Sequence, residues 1–144
     1  MPDKSIIGSE LGTVTFPVER GKVREFASAI LDDNPAYQEE RPPATPTFTM
    51  TQVFWPRQFD GPPADLGINY ALVVHGSQEF EYLGPVHAGD VLTGRSRVVD
   101  VYTKEGKRGG AMTFVVLETT FANQDGQDVV VSRNVLIERG APAA

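Results

Sequence analysis

Val23, Phe26, Ala27, Ile30 and Leu31 fall at i, i+3, i+4, i+7 and i+8, with Lys22, Arg24, Glu25 and Ser28 between them. That spacing predicts one amphipathic helix with an apolar face turned inward. Asn34-Pro35 ends it, because a residue preceding proline is pushed out of the α region. Upstream, residues 13–16 read as a short strand stopped by Pro17. Thr45-Pro46 reads as a second helix start, with Thr45 as N-cap and Pro46 at the first helical position. The helix predicted over 47–55 contains no charged residue, so it is expected to be buried nearly all round.

The pattern then changes period. Gln78-Glu-Phe-Glu-Tyr82 alternates, with Phe80 and Tyr82 on one face. Residues 91–102 are rich in β-branched side chains, 112–122 are apolar on both faces, and 129–137 follow the turn Asn123-Gln-Asp-Gly126. Strand, helix, helix, then four mostly antiparallel strands is an α+β order, with a helix laid on one sheet face.

Composition narrows the function. At 144 residues, with 40% hydrophobic and 22% charged residues, the chain is expected to form a single domain over 1–144. A proline-rich excursion at about 41–63 and a short disordered tail at 140–144 are expected within it. No apolar run approaches the roughly 20 residues of a membrane-spanning helix. The first residues show no basic region followed by an apolar stretch, so no secretory signal and a cytoplasmic location are expected. Zero cysteines exclude disulfides, thiol chemistry and Cys-based metal sites, and two histidines exclude a multi-imidazole metal centre. Neither a metal nor a cofactor is therefore expected. A net charge of −6 with 13 scattered Lys and Arg argues against nucleic acid and anionic membranes as partners.

Three stretches resemble one family. Phe26-Ala-Ser-Ala-Ile-Leu-Asp-Asp-Asn-Pro-Ala-Tyr37 is similar to a hydratase signature reading roughly Y/F-A-x-x-S-G-D-x-N-P-x-H. Pro43-Ala-Thr-Pro-Thr-Phe48 resembles the start of the central helix in the same proteins. His75-Gly-Ser-Gln-Glu-Phe-Glu-Tyr82, with Pro85-Val-His-Ala-Gly-Asp90, resembles the strand and turn after that helix. The ordered set resembles the MaoC-like hydratase/dehydratase families, in particular FAS1-like dehydratase (MaoC N-terminal) domains. The resemblance implies a hot-dog fold, a curved antiparallel sheet wrapping a central buried helix. It also implies reversible hydration of an enoyl thioester to a (3R)-3-hydroxyacyl thioester on coenzyme A or acyl carrier protein.

Carried over residue by residue, the resemblance gives Asp32 the place of the catalytic Asp and Asn34 that of the signature Asn. Tyr37 stands in the place of the catalytic His, and Thr45-Pro46 where catalytic members have His-Gly. A phenol of ordinary pKa ~10 is a poor base at neutral pH, whereas an imidazole near ~6.5 suits the task. Proline has no N–H, so Pro46 cannot donate to an oxyanion, and only the Thr47 N–H is left to substitute. The chain is thus similar to the degenerate halves of MaoC-like enzymes, including accessory subunits of (3R)-hydroxyacyl-ACP dehydratases. On that reading it is a hydro-lyase component, the non-catalytic or substrate-shaping subunit of a dimer with a catalytic MaoC-like chain.

Other readings stand beside it. A self-sufficient homodimeric hydratase would use Asp32 with His75 or Tyr37. A non-enzymatic hot-dog module would bind acyl thioesters or only a protein. A hot-dog thioesterase would need a carboxylate on the central helix, and 47–55 has none. Asp32 and Asn34 also serve as ordinary helix-end residues, His75 as a strand histidine bonded to a carbonyl, and His87 as a solvated turn residue. Tyr37, Thr47 and Phe48 are candidates for substrate contact, with a plain core role as the alternative for the aromatics. Lys104 and Arg108 flank a glycine-rich turn; they suit a phosphate of coenzyme A or phosphopantetheine, and equally a solvated hairpin tip.

Overall fold

A computed structural model describes residues 1–107 and 110–140. Five strands form one antiparallel sheet: β1 (Glu10–Pro17), β2 (Val73–Tyr82), β3 (Val91–Glu105), β4 (Ala111–Ala122) and β5 (Asp128–Arg139). Their order across the sheet is β1-β3-β4-β5-β2. Helix α1 (Arg20–Ala29) leaves β1 and returns over the sheet. The curved antiparallel sheet with few helices is the hot-dog architecture expected from the sequence, and every predicted strand is present, longer at one end or both.

The core follows the alternation that marked the strands. At one end of the inner face, Phe16, Leu92, Phe121 and Val130 pack with Val23 and Ala27 of α1 and with Phe48. Phe16 and Phe121 meet edge to face at 6.1 Å. Burying each such side chain contributes about 1.5–3 kcal/mol. At the other end Leu66, Val98, Val101 and Val115 form a second apolar cluster.

Three local expectations are corrected. The predicted helix at 47–55 is a 3₁₀ helix, Phe48–Phe54. Phe48, Thr49 and Thr51 are buried, but Val53 and Phe54 are 69% and 79% exposed, so the segment is not buried all round. Three threonines, a valine and two phenylalanines carry low helical propensity, and the segment settles into tighter i→i+3 turns before Pro56. Thr45 does not cap it. The N-cap position is Thr47, while the Thr45 carbonyl accepts from Phe48 N–H at 3.0 Å and its hydroxyl is buried without a hydrogen bond. Finally, α1 stops at Ala29, leaving Ile30 and Leu31 exposed rather than on the buried face.

The loop after the 3₁₀ helix crosses to the far edge of the sheet. Gln58 exchanges two backbone hydrogen bonds of 2.8 Å with Thr13 of β1. Gly12 permits this approach: it holds φ +82°, and a Cβ there would sit 2.6 Å from the Gln58 carbonyl oxygen. The β1 edge is thereby partly covered. β2 pairs only with β5 among the described residues, so its outer edge is bare.

Candidate functional site

The end of α1 is built by backbone hydrogen bonds. Asp32 N–H donates to Ala27 O at 2.9 Å and Leu31 N–H to Ser28 O at 3.1 Å, the paired bonds of a Schellman ending. Leu31 takes φ +58° to make them. It stands in the glycine place of the hydratase signature. The turn delivers Asp32, whose Oδ1 accepts from Asn34 N–H at 3.1 Å, while Asn34 Oδ1 accepts from Ala36 N–H at 3.0 Å. Asn34 therefore caps the short helix Pro35–Gln38, and that helix carries Tyr37 into the core.

Tyr37 and Asp32 are neighbours. Burial first, and the Asp32 carboxylate second, raise the Tyr37 phenol above its ordinary pKa. Tyr82, at the end of β2, completes the group. Its hydroxyl donates to the Pro46 carbonyl at 2.6 Å, with the Thr45 carbonyl at 3.3 Å. Burial, and then the adjoining Tyr37, push the Tyr82 phenol up to about 12. Sequence reasoning placed Tyr82 on a strand face but not here; its only signal was an aromatic at the strand terminus facing the same way as Phe80.

The chemistry of this cluster is that of proton holders. A half-buried carboxylate faces a phenol, and both phenols keep their protons more tightly than free tyrosine does. No imidazole is hydrogen-bonded to Asp32 or Tyr37 among the described residues. At the start of the 3₁₀ helix the groups met by Tyr82 are carbonyl oxygens, which accept hydrogen bonds and cannot stabilise an oxyanion.

The other candidates lie in different places. His75 is exposed on β2 opposite Leu136, seven residues from Tyr82 and thus roughly 23 Å away at strand rise. Within one chain it is not brought to Asp32. Thr47 sits half-buried at the N-cap of the 3₁₀ helix, and Phe48 is buried with its ring 6.0 Å from that of Phe26. The Lys104 ammonium lies 5.2 Å over the Tyr102 ring and 5.3 Å over that of Phe114, at the opposite end of β3 from the cluster. Arg108 lies outside the described residues, as does the expected tail beyond Gly140. His87 is half-buried rather than solvated, its backbone N–H donating to Asp90 at 2.8 Å. Among the described residues no His, Cys, Asp and Glu group is placed to hold a metal ion.

Fold and site together define a hot-dog protein of the hydratase/dehydratase type. Residues 5–132 match the model of the FAS1-like, dehydratase domain region, and the chain belongs to that family. A UPF0336 protein of Thermobifida fusca is 34% identical over 136 residues, covering 87% of this chain and 85% of the relative. Among solved structures, the C-terminally truncated HadBC (3R-hydroxyacyl-ACP dehydratase) complex of Mycobacterium tuberculosis aligns with a TM-score of 0.69 at 23% identity. That alignment covers 95% of this chain and 99% of that one. A MaoC-like dehydratase of Phytophthora capsici aligns with a TM-score of 0.73 at 24% identity, over 99% of this chain and 51% of that one.

Proposed function

We propose that this chain is the non-catalytic, substrate-shaping subunit of a cytoplasmic (3R)-hydroxyacyl-thioester dehydratase, paired with a catalytic MaoC-like chain. The partner supplies the acid–base pair and the oxyanion donor. This chain contributes its sheet and the walls around an acyl group carried on coenzyme A or acyl carrier protein. One observation carries the reading: the place of the proton-transfer imidazole holds Tyr37, a buried phenol with a raised pKa, beside a Pro46 carbonyl already bonded to Tyr82. An acid–base catalyst works best with a pKa near the operating pH, and these phenols are displaced in the wrong direction.

The bare β2 edge supports an assembly. An open strand edge flanked by exposed Val74 and Leu83 is a surface that proteins cover. Purification from the native cell is expected to recover the chain with a MaoC-like partner in equal amounts, as a single species by analytical ultracentrifugation. A monodisperse monomer with no bound chain would overturn the proposal.

A further inference from the structure

A row of charges crosses the outer face of the sheet. Leu117 and Thr119 of β4 turn toward the core, Leu117 against the second apolar cluster and Thr119 buried, so alternation turns Glu118 outward. Its row of cross-strand partners runs Glu10 of β1, Arg97 of β3, Glu118, Arg133 of β5 and Glu79 of β2. The sign alternates at every step, and opposite charges at facing positions stabilise a sheet. Glu118 accepts from Arg97 Nη2 at 3.0 Å and from Arg133 Nε at 2.9 Å.

The row stops at the bare edge. Glu79 is exposed and has no ion pair among the described residues; Arg133 reaches instead to Glu81, two residues along the same face, at 3.6 Å. β2 thus carries two carboxylates on the outward face of a strand whose free edge offers unpaired N–H and C=O groups. Residues 73–82 contain no lysine or arginine. A second copy of this strand, laid antiparallel along the edge, therefore has no permanent cation to set against Glu79 or Glu81. In registers centred on residues 79–81 it sets carboxylate against carboxylate, which destabilises the pair.

We infer that the β2 edge is an acidic docking strand: it accepts the edge strand of another protein bearing lysine or arginine opposite Glu79 and Glu81, and it disfavours a second copy of this chain. Opposite charge admits the one and like charge rejects the other, the two halves of partner specificity. That the partner is a MaoC-like chain rests on the proposed dehydratase reading; the demand for a basic strand rests on the edge alone.

A basic partner strand can be made from this chain. Glu79→Lys with Glu81→Lys reverses the charge of the edge, and Glu79→Gln with Glu81→Gln removes it. Fluorescently labelled parent chain is titrated with unlabelled parent, the lysine variant and the glutamine variant, and association is read by anisotropy after circular dichroism has shown each variant folded. In about 0.05 M NaCl the lysine variant is expected to bind the parent about tenfold more tightly than the parent binds itself, with the glutamine variant between them. In about 1 M NaCl, where charges are screened beyond about 3 Å, the three are expected to fall within about threefold of one another. The parent binding itself as tightly as it binds the lysine variant, no association in any pairing, or a preference unmoved by salt would overturn the inference. Arg133 lies beside both substituted positions, so the lysine variant carries a risk of misfolding. The glutamine variant then decides: binding the parent more tightly than the parent binds itself supports the inference, and binding it no more tightly overturns it. The expected order of affinities, with no hydration alongside a catalytic MaoC-like subunit, would leave the edge standing and remove the dehydratase reading. Hydration alongside such a subunit without that order would do the reverse.

Discussion

Leu31 holds a backbone conformation that side chains avoid, with φ +58° and 90% of its surface exposed. In the left-handed region an L-residue bearing a Cβ carries a penalty of about 1–2 kcal/mol, which glycine escapes. The side chain recovers nothing by burial. Leu31→Gly is therefore expected to raise stability by about 1 kcal/mol, after the extra freedom glycine has in the unfolded chain is subtracted. A denaturant midpoint shifted upward at constant slope is the readout, and a downward shift would contradict the reading that the exposed Leu31 side chain contributes nothing to the fold. The same turn fixes Asp32, so the substitution alters a signature position without touching the carboxylate.

At the scale of elements, the best-anchored junction is the turn before β3. Asp90 is buried there, accepting from His87 N–H at 2.8 Å, from Gln124 Nε2 at 3.0 Å and from Arg41 Nη2 at 3.0 Å. Burial alone raises its carboxyl, but the His87 N–H, Gln124 and Arg41 together outweigh burial and hold it below the usual 3.8. A carboxylate with a depressed folded pKa stabilises fully above its unfolded pKa, and that stabilisation disappears as pH falls through the folded value. Asp90→Asn is expected to cost about 2 kcal/mol at neutral pH, and the difference from the parent should shrink steadily below pH ~4. Urea titrations across that range check it, and a pH-independent difference would contradict it. Glu118, held low against its burial by Arg97 and Arg133, keeps its own acid sensitivity in both proteins.

Elements were legible in the sequence in proportion to their periodicity. β2 alternates, β3 to β5 are β-branched and apolar runs between turn signals, and α1 shows its apolar face, so both kinds of element could be read. The segment 47–55 lacks charge, and absence of charge reports burial without reporting period; a 3₁₀ helix with two exposed apolar residues looks the same. The candidate site was half legible. Asp32, Asn34 and Tyr37 lie within six residues, so local sequence carries their grouping. Tyr82 reaches its place through the folding of the sheet, bonding to the Pro46 carbonyl 36 residues away, which no local pattern encodes. His75 sits in a recognisable stretch, but strand rise carries it far from Asp32.

In the whole molecule, architecture and chemistry come apart. The hot-dog sheet is present, whereas on the proposed reading Tyr37 and Pro46 stand in the places of the groups that would move a proton or hold an oxyanion. Loss of an oxyanion donor lowers rates by about 10²–10³ and loss of acid–base assistance by about 10²–10⁴, though the two need not multiply. The most direct measurement is the steady-state hydration of crotonyl-CoA by the purified chain, alone and then mixed with a catalytic MaoC-like subunit, with Asp32→Ala introduced into this chain in both cases. Activity barely above background for the lone chain, restored by the partner and changed less than about threefold by Asp32→Ala, is the predicted result. Strong hydration by the lone chain, abolished by Asp32→Ala, would contradict the account and make the protein a self-sufficient hydratase.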